Sequence, residues 1–277
     1  MLLFKISGMK FILVINFLFF TNILPAQELY VFTEPASNMA AKSIGIRTNN
    51  YLMGEISTSD LNYHFVPEIM IGVSRKIMLH IDAFLSNRNK GFSLEGGSIY
   101  AKYRFLSNDE VQKHFRMAGF ARVSSNNSDI HMNEINLYGH NSGWETGIVA
   151  TQLLHKVAIS SGISYVKAAD NGNGNKFSYG DKNSNAINYT VSIGKLMLPK
   201  EYTSYKQTNL NLMFELLNQY NIGSGKYYMD IAPSLQLIFN SRSRLDIAYR
   251  QQISSTFERT APNGFLIRLE HNLFNAW

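Results

Sequence analysis

Residues 227–239 read YYMDIAPSLQLIF, and residues 243–250 read SRLDIAYR. In the first stretch Tyr227, Met229, Ile231, Leu235, Leu237 and Phe239 fall on one side of an extended chain, with Tyr228, Asp230, Ala232, Ser234 and Gln236 on the other. In the second, Leu245, Ile247 and Tyr249 oppose Arg244, Asp246, Ala248 and Arg250. A period of two is the signature of a strand whose faces meet different surroundings, and a helical period of 3.6 fits neither stretch. The three residues between them, Asn240-Ser241-Arg242, suit a tight hairpin turn.

Working outward, the pattern recurs. Leu61, Tyr63, Phe65, Ile69, Ile71 and Val73 oppose Asn62, His64, Glu68 and Met70, while Ile77, Leu79, Ile81, Ala83 and Leu85 oppose Met78, His80, Asp82 and Phe84. Twelve such segments lie near 43–52, 61–73, 77–86, 92–106, 115–125, 143–153, 156–166, 186–198, 206–220, 226–239, 243–254 and 264–274. The connections sort by parity. Ser74-Arg75-Lys76 and Leu154-His155 are tight, whereas 126–142 and 167–185 are long and rich in Asn, Gly and Asp. An even strand number with short turns on one rim and long loops on the other suits a closed antiparallel barrel. A secreted β-sandwich also alternates, but the charges in mid-strand here are too many for a merely wetted face.

The chain has 277 residues, 45% hydrophobic and 17% charged, so it is too apolar for disorder. It has no cysteine, which removes disulfide scaffolds, thiolate metal sites and cysteine nucleophiles. Its formal charge of +6 includes Lys5 and Lys10, and what remains is too small to imply nucleic acid. Those two lysines precede an apolar run from Phe11 to Leu24 and the small-residue site Pro25-Ala26 before Gln27. Residues 1–26 therefore read as a cleavable secretory signal peptide, too short in its apolar core for a membrane anchor. Gln27 to Ala41 precedes the first strand and carries the apolar Leu29-Tyr30-Val31-Phe32. It can serve as a partial plug in the mouth of the barrel or as a plain periplasmic arm, and an arm over 27–42 is the expectation, with the barrel over 43–277.

The last strand runs through Ile267, Leu269 and Leu273 to Trp277 in phase. With its aromatic end, the chain resembles the Gram-negative outer-membrane β-barrel proteins, at the level of architecture and over nearly all of the chain after the leader. The resemblance implies an all-β, antiparallel transmembrane β-barrel of about twelve strands with short periplasmic turns and longer extracellular loops. It also implies an outer-membrane location among outer-membrane lipids, and barrel-assembly machinery that reads Trp277 as its signal.

If the apolar face meets lipid, the other face lines a lumen. The ionisable residues placed there are Arg47, His64, Glu68, His80, Asp82, Lys102, Arg104, Arg116, Arg122, Glu145, Glu215, Asp230, Arg244, Asp246, Arg250, Arg268 and Glu270. The two signs are nearly balanced, so most can pair across the interior. Asp230, Arg244, Asp246, Arg250, Arg268 and Glu270, on three successive strands, are expected to form one connected patch. The 126–142 loop brings together Asp129, His131, Met132, Glu134 and His140, and the set His131, Met132 and His140 suits copper by ligand type, though its spacing matches no established pattern. Asp170 to Asn175 lacks the Ca2+-loop positions of an EF-hand and reads as a solvated loop. No Ser lies in a Gly-x-Ser-x-Gly elbow, and no motif calls for a cofactor. His64 with Glu68, and His80 with Asp82, read as hydrogen-bonded wall rather than as acid and base. The function expected is a barrel that passes or binds a small solute of unknown identity, with no catalytic activity. The alternatives are a lipid hydrolase or a structural or adhesive barrel acting through its loops.

Overall fold

A computed structural model of the chain describes residues 30–54, 61–88, 91–130, 132–177, 183–201, 204 and 206–277. Twelve strands follow in chain order: β1 (Ser43–Gly54), β2 (Leu61–Gly72), β3 (Ile77–Ser86), β4 (Ser93–Glu110), β5 (Lys113–Asn126), β6 (Ser142–Leu154), β7 (Val157–Ala169), β8 (Asn185–Leu198), β9 (Asn209–Asn221), β10 (Tyr227–Phe239), β11 (Ser243–Ser255) and β12 (Asn263–Leu273). Each pairs antiparallel with its sequence neighbours. β1 pairs with β12 as well as with β2, so the sheet closes on itself and has no free edge. Every segment read from the alternation is a strand, including β6, where Gly and Thr blur the pattern.

Burial explains why these segments are strands of a barrel rather than of a sandwich. Facing inward, Arg47, Glu68, Lys102, Glu215, Asp230 and Asp246 are each 3% exposed or less. Facing outward, Ile81, Ile99, Ile193 and Ile247 are 42–61% exposed. A water-soluble core sorts residues the opposite way. An apolar surround imposes this one, because every strand hydrogen bond is satisfied within the closed sheet while the apolar side chains meet hydrocarbon. Aromatic residues gather on the outside toward the long-loop rim, where Trp144 lies 5.4 Å from Tyr165 and Tyr63 stacks on Phe92 at 5.8 Å.

The short connections 111–112 and 155–156 each turn through one left-handed residue, Gln112 at φ 57° and His155 at φ 53°. On the same rim, 199–208 is longer than the parity rule leads one to expect.

The structure corrects three expectations. Residues 30–42 are not a periplasmic arm but lie inside the bore, with Tyr30, Val31, Ala36 and Met39 buried. The loop 127–141 is not an exposed polar loop, because Met132, Ile135 and Leu137 turn it inward. Asp170, Gly172, Asn173 and Gly174 are exposed, in keeping with a solvated loop, while Asn171 and, just beyond the stretch, Phe177 are buried. Phe177 is fully buried against Ile135 and Leu137, and its amide bonds Asp170 Oδ1 at 3.0 Å. Finally, β12 ends at Leu273; the Ala276 amide bonds the Lys42 carbonyl at 2.8 Å, so Trp277 stands beyond the strand and is half exposed. Residues 1–26, read above as a signal peptide, lie outside the described residues.

Candidate functional site

Residues 30–42 cross the bore on its short-turn side and touch nearly every side of it. Tyr30 and Val31 pack on Ala158, Met213, Ala248 and Leu266, small or flexible apolar side chains that interrupt the polar wall where the segment meets it. Ala36 sits on Ala118 and Val149, and Met39 on Met70 and Met78. Near its end, the segment approaches β2 so closely that a Cβ at Gly72 would meet the Ala40 carbonyl oxygen at 1.9 Å.

Polar contacts fix the same segment. An extended chain leaving a sheet has unpaired amides, and a buried amide without a partner is costly. Glu215 of β9 supplies the partner: its two carboxylate oxygens accept the amides of Val31 and Thr33 at 2.8 Å and that of Phe32 at 3.0 Å. The Ala36 amide donates to Thr151 Oγ1 at 2.8 Å, and Lys102 Nζ donates to the Pro35 carbonyl at 2.9 Å. Glu34 reaches Arg47 at 3.3 Å and Lys102 at 3.4 Å. Burial opposes its charge, but Lys102, His80 and Arg47 together hold the Glu34 carboxyl well below the usual carboxylate range.

The loop 127–141 enters from the opposite rim. Ile135 exchanges two 2.8 Å hydrogen bonds with the Gln219 amide of β9, a side-chain imitation of strand pairing. The Tyr138 hydroxyl donates to Glu68 at 3.0 Å and accepts from Asn49 at 2.8 Å. Burial, with Glu68 and Asp82 nearby, pushes this phenol well above its ordinary range, so it is a neutral donor. Glu134 pairs with Arg259, whose guanidinium also grips Asp230 at 2.7 and 2.8 Å.

Between the two insertions lies a cavity of about 420 Å3. Val31 to Glu34 form its floor, Met132 to Tyr138 of the loop one side, and its lining reaches the long-loop rim at Met53, Asn62, Thr260 and Ala261. Tyr51, Tyr100, Phe120, Tyr138 and Tyr228 give it aromatic surface, and Arg47, Arg88, Arg122, Arg250 and Arg268 bring guanidinium groups to it. Those groups are held rigidly. Arg122 bonds Asp82 at 3.1 Å with its plane between Tyr100 and Tyr138 at 5.1 and 4.8 Å; Arg250 bonds Asp230 at 2.6 Å beside Tyr228.

No protein-family model matches the chain, and no curated protein matches it. Solved structures do. The COG4313 outer membrane channel from Pseudomonas putida F1 superposes with a TM-score of 0.54 at 12% identity, over 88% of this chain and 99% of that one. The KdgM porin superposes with a TM-score of 0.49 at 10% identity, over 82% and 98%. This chain has the fold of an outer-membrane channel barrel.

Within the barrel, the inward positions read from the alternation fall into separate groups. Arg47, His80 and Glu68 come together: Arg47 bonds Glu68 at 3.2 Å and Glu270 at 2.9 Å, and His80 Nδ1 lies 2.5 Å from Glu68. His80 therefore pairs with Glu68, not with Asp82, which bonds Ser98 and Arg122 instead. His64 stacks on His140 at 4.7 Å. The expected single patch on the last three strands is two in its direct ion pairs. Arg250 and Asp230 join Arg259 and Glu134, whereas Arg244 bridges Asp246 at 3.0 Å and Glu270 at 2.8 Å, with Arg268 at 3.8 Å from Asp246. Arg104 and Arg116 are at the short-turn mouth, Arg104 on the Arg75 carbonyl and Arg116 on Asp109 and Ser37.

Of the copper candidates, His131 lies outside the described residues. Met132 lines the cavity, and His140 Nδ1 is bonded at 2.5 Å by Arg88, which leaves that nitrogen unable to face a cation. A different metal-capable trio, Glu34, Glu68 and His80, has its ligand atoms within 4.8 Å of one another. Arg47 and Lys102 already neutralise its carboxylates, so the positive charge a metal would supply is in place. Glu34, Arg88, Tyr138 and Arg259 are parts of the site that strand alternation could not reveal, since all four lie outside the strands.

Proposed function

We propose that this protein is exported by its leader, sits in the outer membrane and takes a small polar solute from the outside into its lumen, with residues 30–42 closing the exit toward the periplasm. The observation that carries this reading is the cavity itself, floored by the N-terminal segment and lined up to the long-loop rim. Twelve strands make a bore wider than the side-chain-filled interior of eight, and here the excess width is taken up by two inserted segments rather than by wall residues. Such a barrel is a gated path: the floor is held by hydrogen bonds and ion pairs that can be exchanged, whereas the wall is a continuous sheet. The ordered guanidinium groups and aromatic rings suit recognition of a polar solute, because their positions are fixed before anything binds.

The test is bilayer conductance of the purified protein beside a variant lacking residues 30–38, with heat-modifiable gel migration confirming that both barrels are folded. Small, rare conductance in the intact chain and a larger, steady one in the deletion is the expected result. Equal silence in both folded barrels removes the channel reading.

The hydrolase alternative has one structural point to answer to. Ser243 Oγ lies 2.9 Å from His271 Nδ1 on the outer face. Among the described residues no carboxylate or amide holds the other ring nitrogen, so the third group that orients a catalytic imidazole is missing from the pair.

A further inference from the structure

The charges around the cavity do not cancel. Four carboxylates line it, Glu34, Glu68, Glu134 and Glu145, and the first three are ion-paired. All five guanidinium groups that line it already have carboxylate partners, Arg88 pairing with Glu95 and Arg268 with Asp246. Glu145 is the remainder. On β6 it stands directly opposite Arg122 of β5 in the register, yet Arg122 turns to Asp82 and Ser98. One guanidinium thus faces two carboxylates and bonds only one of them. Glu145 is held instead by neutral donors, Ser164 Oγ at 2.5 Å and Asn188 Nδ2 at 3.1 Å, both on Oε1. Among the described residues Oε2 has no bonded partner, and the side chain is only half-buried at the cavity wall.

This arrangement is poised rather than accidental in form. Asn188 is itself held by Gln219 at 2.8 Å, and Gln219 by the Ile135 backbone, so the Ser164 hydroxyl of β7 and the amides of β8 and β9 fix one oxygen of Glu145, a residue that lines the cavity. Phe120 and Val149 line the same region with apolar surface.

We propose that the cavity selects a positively charged, hydrogen-bond-donating solute such as a hydroxylated or short organic ammonium, and that Glu145 is its counter-ion. The inference rests on the solute-binding reading above and adds the sign of the solute's charge. In a partly desolvated lumen a single unmatched carboxylate discriminates strongly between charge signs, because its field is poorly screened. The surrounding fixed ion pairs contribute no net charge to either sign.

Three linear polyols of nearly equal size and different charge make the probes: N-methylglucamine, sorbitol and gluconate. They are titrated calorimetrically into the detergent-solubilised full chain at low ionic strength and neutral pH. The expected result is N-methylglucamine binding about tenfold or more tighter than sorbitol, with gluconate weakest, and loss of that preference in Glu145→Gln. The variant keeps the hydrogen-bonded shape, and heat-modifiable migration shows that it folds. Gluconate or sorbitol binding as tightly as the cation overturns the charge assignment while leaving the solute cavity intact. A cation preference that survives Glu145→Gln overturns the role of Glu145. Absence of binding by all three removes the solute-binding reading and this inference with it.

Discussion

Glu215 Oε2 accepts two hydrogen bonds from Thr33, one from its amide and one from its hydroxyl, each at 2.8 Å. With the amides of Val31 and Phe32 on Oε1, a single wall carboxylate thereby holds three successive residues of the segment that closes the bore. Hydrogen bonds to a charged group contribute about 1.5–3 kcal/mol each, so this one side chain is a large share of what keeps the segment seated. Glu215→Ala is expected to unseat it. Proteolysis of residues 30–42 in the inserted barrel and bilayer conductance are both expected to rise by tenfold or more. A segment as protected as in the wild type shows that the apolar contacts of Tyr30, Val31 and Met39 suffice by themselves.

Glu34 gives the closure a pH dependence of known sign. Seated, its carboxyl is held below the ordinary value of 4.5 by Lys102, His80 and Arg47 against the opposing effect of burial. Unseated, it titrates near that ordinary value. The unseated form therefore binds the proton more readily, and the contribution of Glu34 is fully present above about pH 4.5 and is lost as pH falls below it. Conductance of the wild type is expected to converge on that of Glu34→Gln as the solution is taken below about pH 4.5. Convergence on the alkaline side would show that the charge pairing has been read with the wrong sign.

The outer face is tested by reversing it. Ile81 and Ile247 point outward at mid-strand, 49% and 42% exposed, and a charge at the bilayer midplane costs about 2–4 kcal/mol. Ile247→Arg and Ile81→Arg are expected to reduce the folded, heat-modifiable fraction in membranes several-fold. Leu substitutions at the same positions are expected to be silent. Full insertion of both arginine variants would mean that this face does not meet hydrocarbon.

The alternation in 227–239 and 243–250 carries the wall completely, because a period of two has one physical cause and the inside-out charge pattern a second. Strand order followed from turn length. What the alternation could not convey is the filling of the bore. Tyr30 and Val31, or Ile135 and Leu137, are short apolar groups in otherwise polar connections, and their burial depends on meeting gaps such as Ala158 and Ala248 in the facing wall. Those gaps are set by residues far apart in the chain. Phase also placed Asp82 and His80 on one face without deciding partners, and it is the reach of Arg122 and the approach of Glu68 that separated them. Glu145 was readable as inward facing; that it has no ion pair became visible only once Arg122 was seen to bond Asp82.

Arg259 ties the inserted loop to the wall, and it can be cut without touching a strand. Its guanidinium joins Glu134 of the loop to Asp230 of β10 and lies over Tyr228 at 4.2 Å. The neighbouring carboxylates raise its already high affinity for the proton despite the opposing effect of burial, so it is a permanent cation. Removing it leaves Asp230 still paired with Arg250, but Glu134 without its ion pair. An orphaned buried charge costs about 3–5 kcal/mol, a cost that Glu134 escapes by leaving the lumen. Arg259→Ala is therefore expected to swing the loop 127–141 toward solvent rather than to unfold the barrel. Amide hydrogen exchange at Ile135 and Leu137 should rise while the strand amides stay protected, and in the background lacking residues 30–38 the conductance should increase further. In Arg259→Ala/Glu134→Gln, which removes the stranded charge, protection at Ile135 should return at least in part. Equal exchange in the single and double variants would show that the Gln219 and Tyr138 contacts alone seat the loop, and that Arg259 braces only the wall.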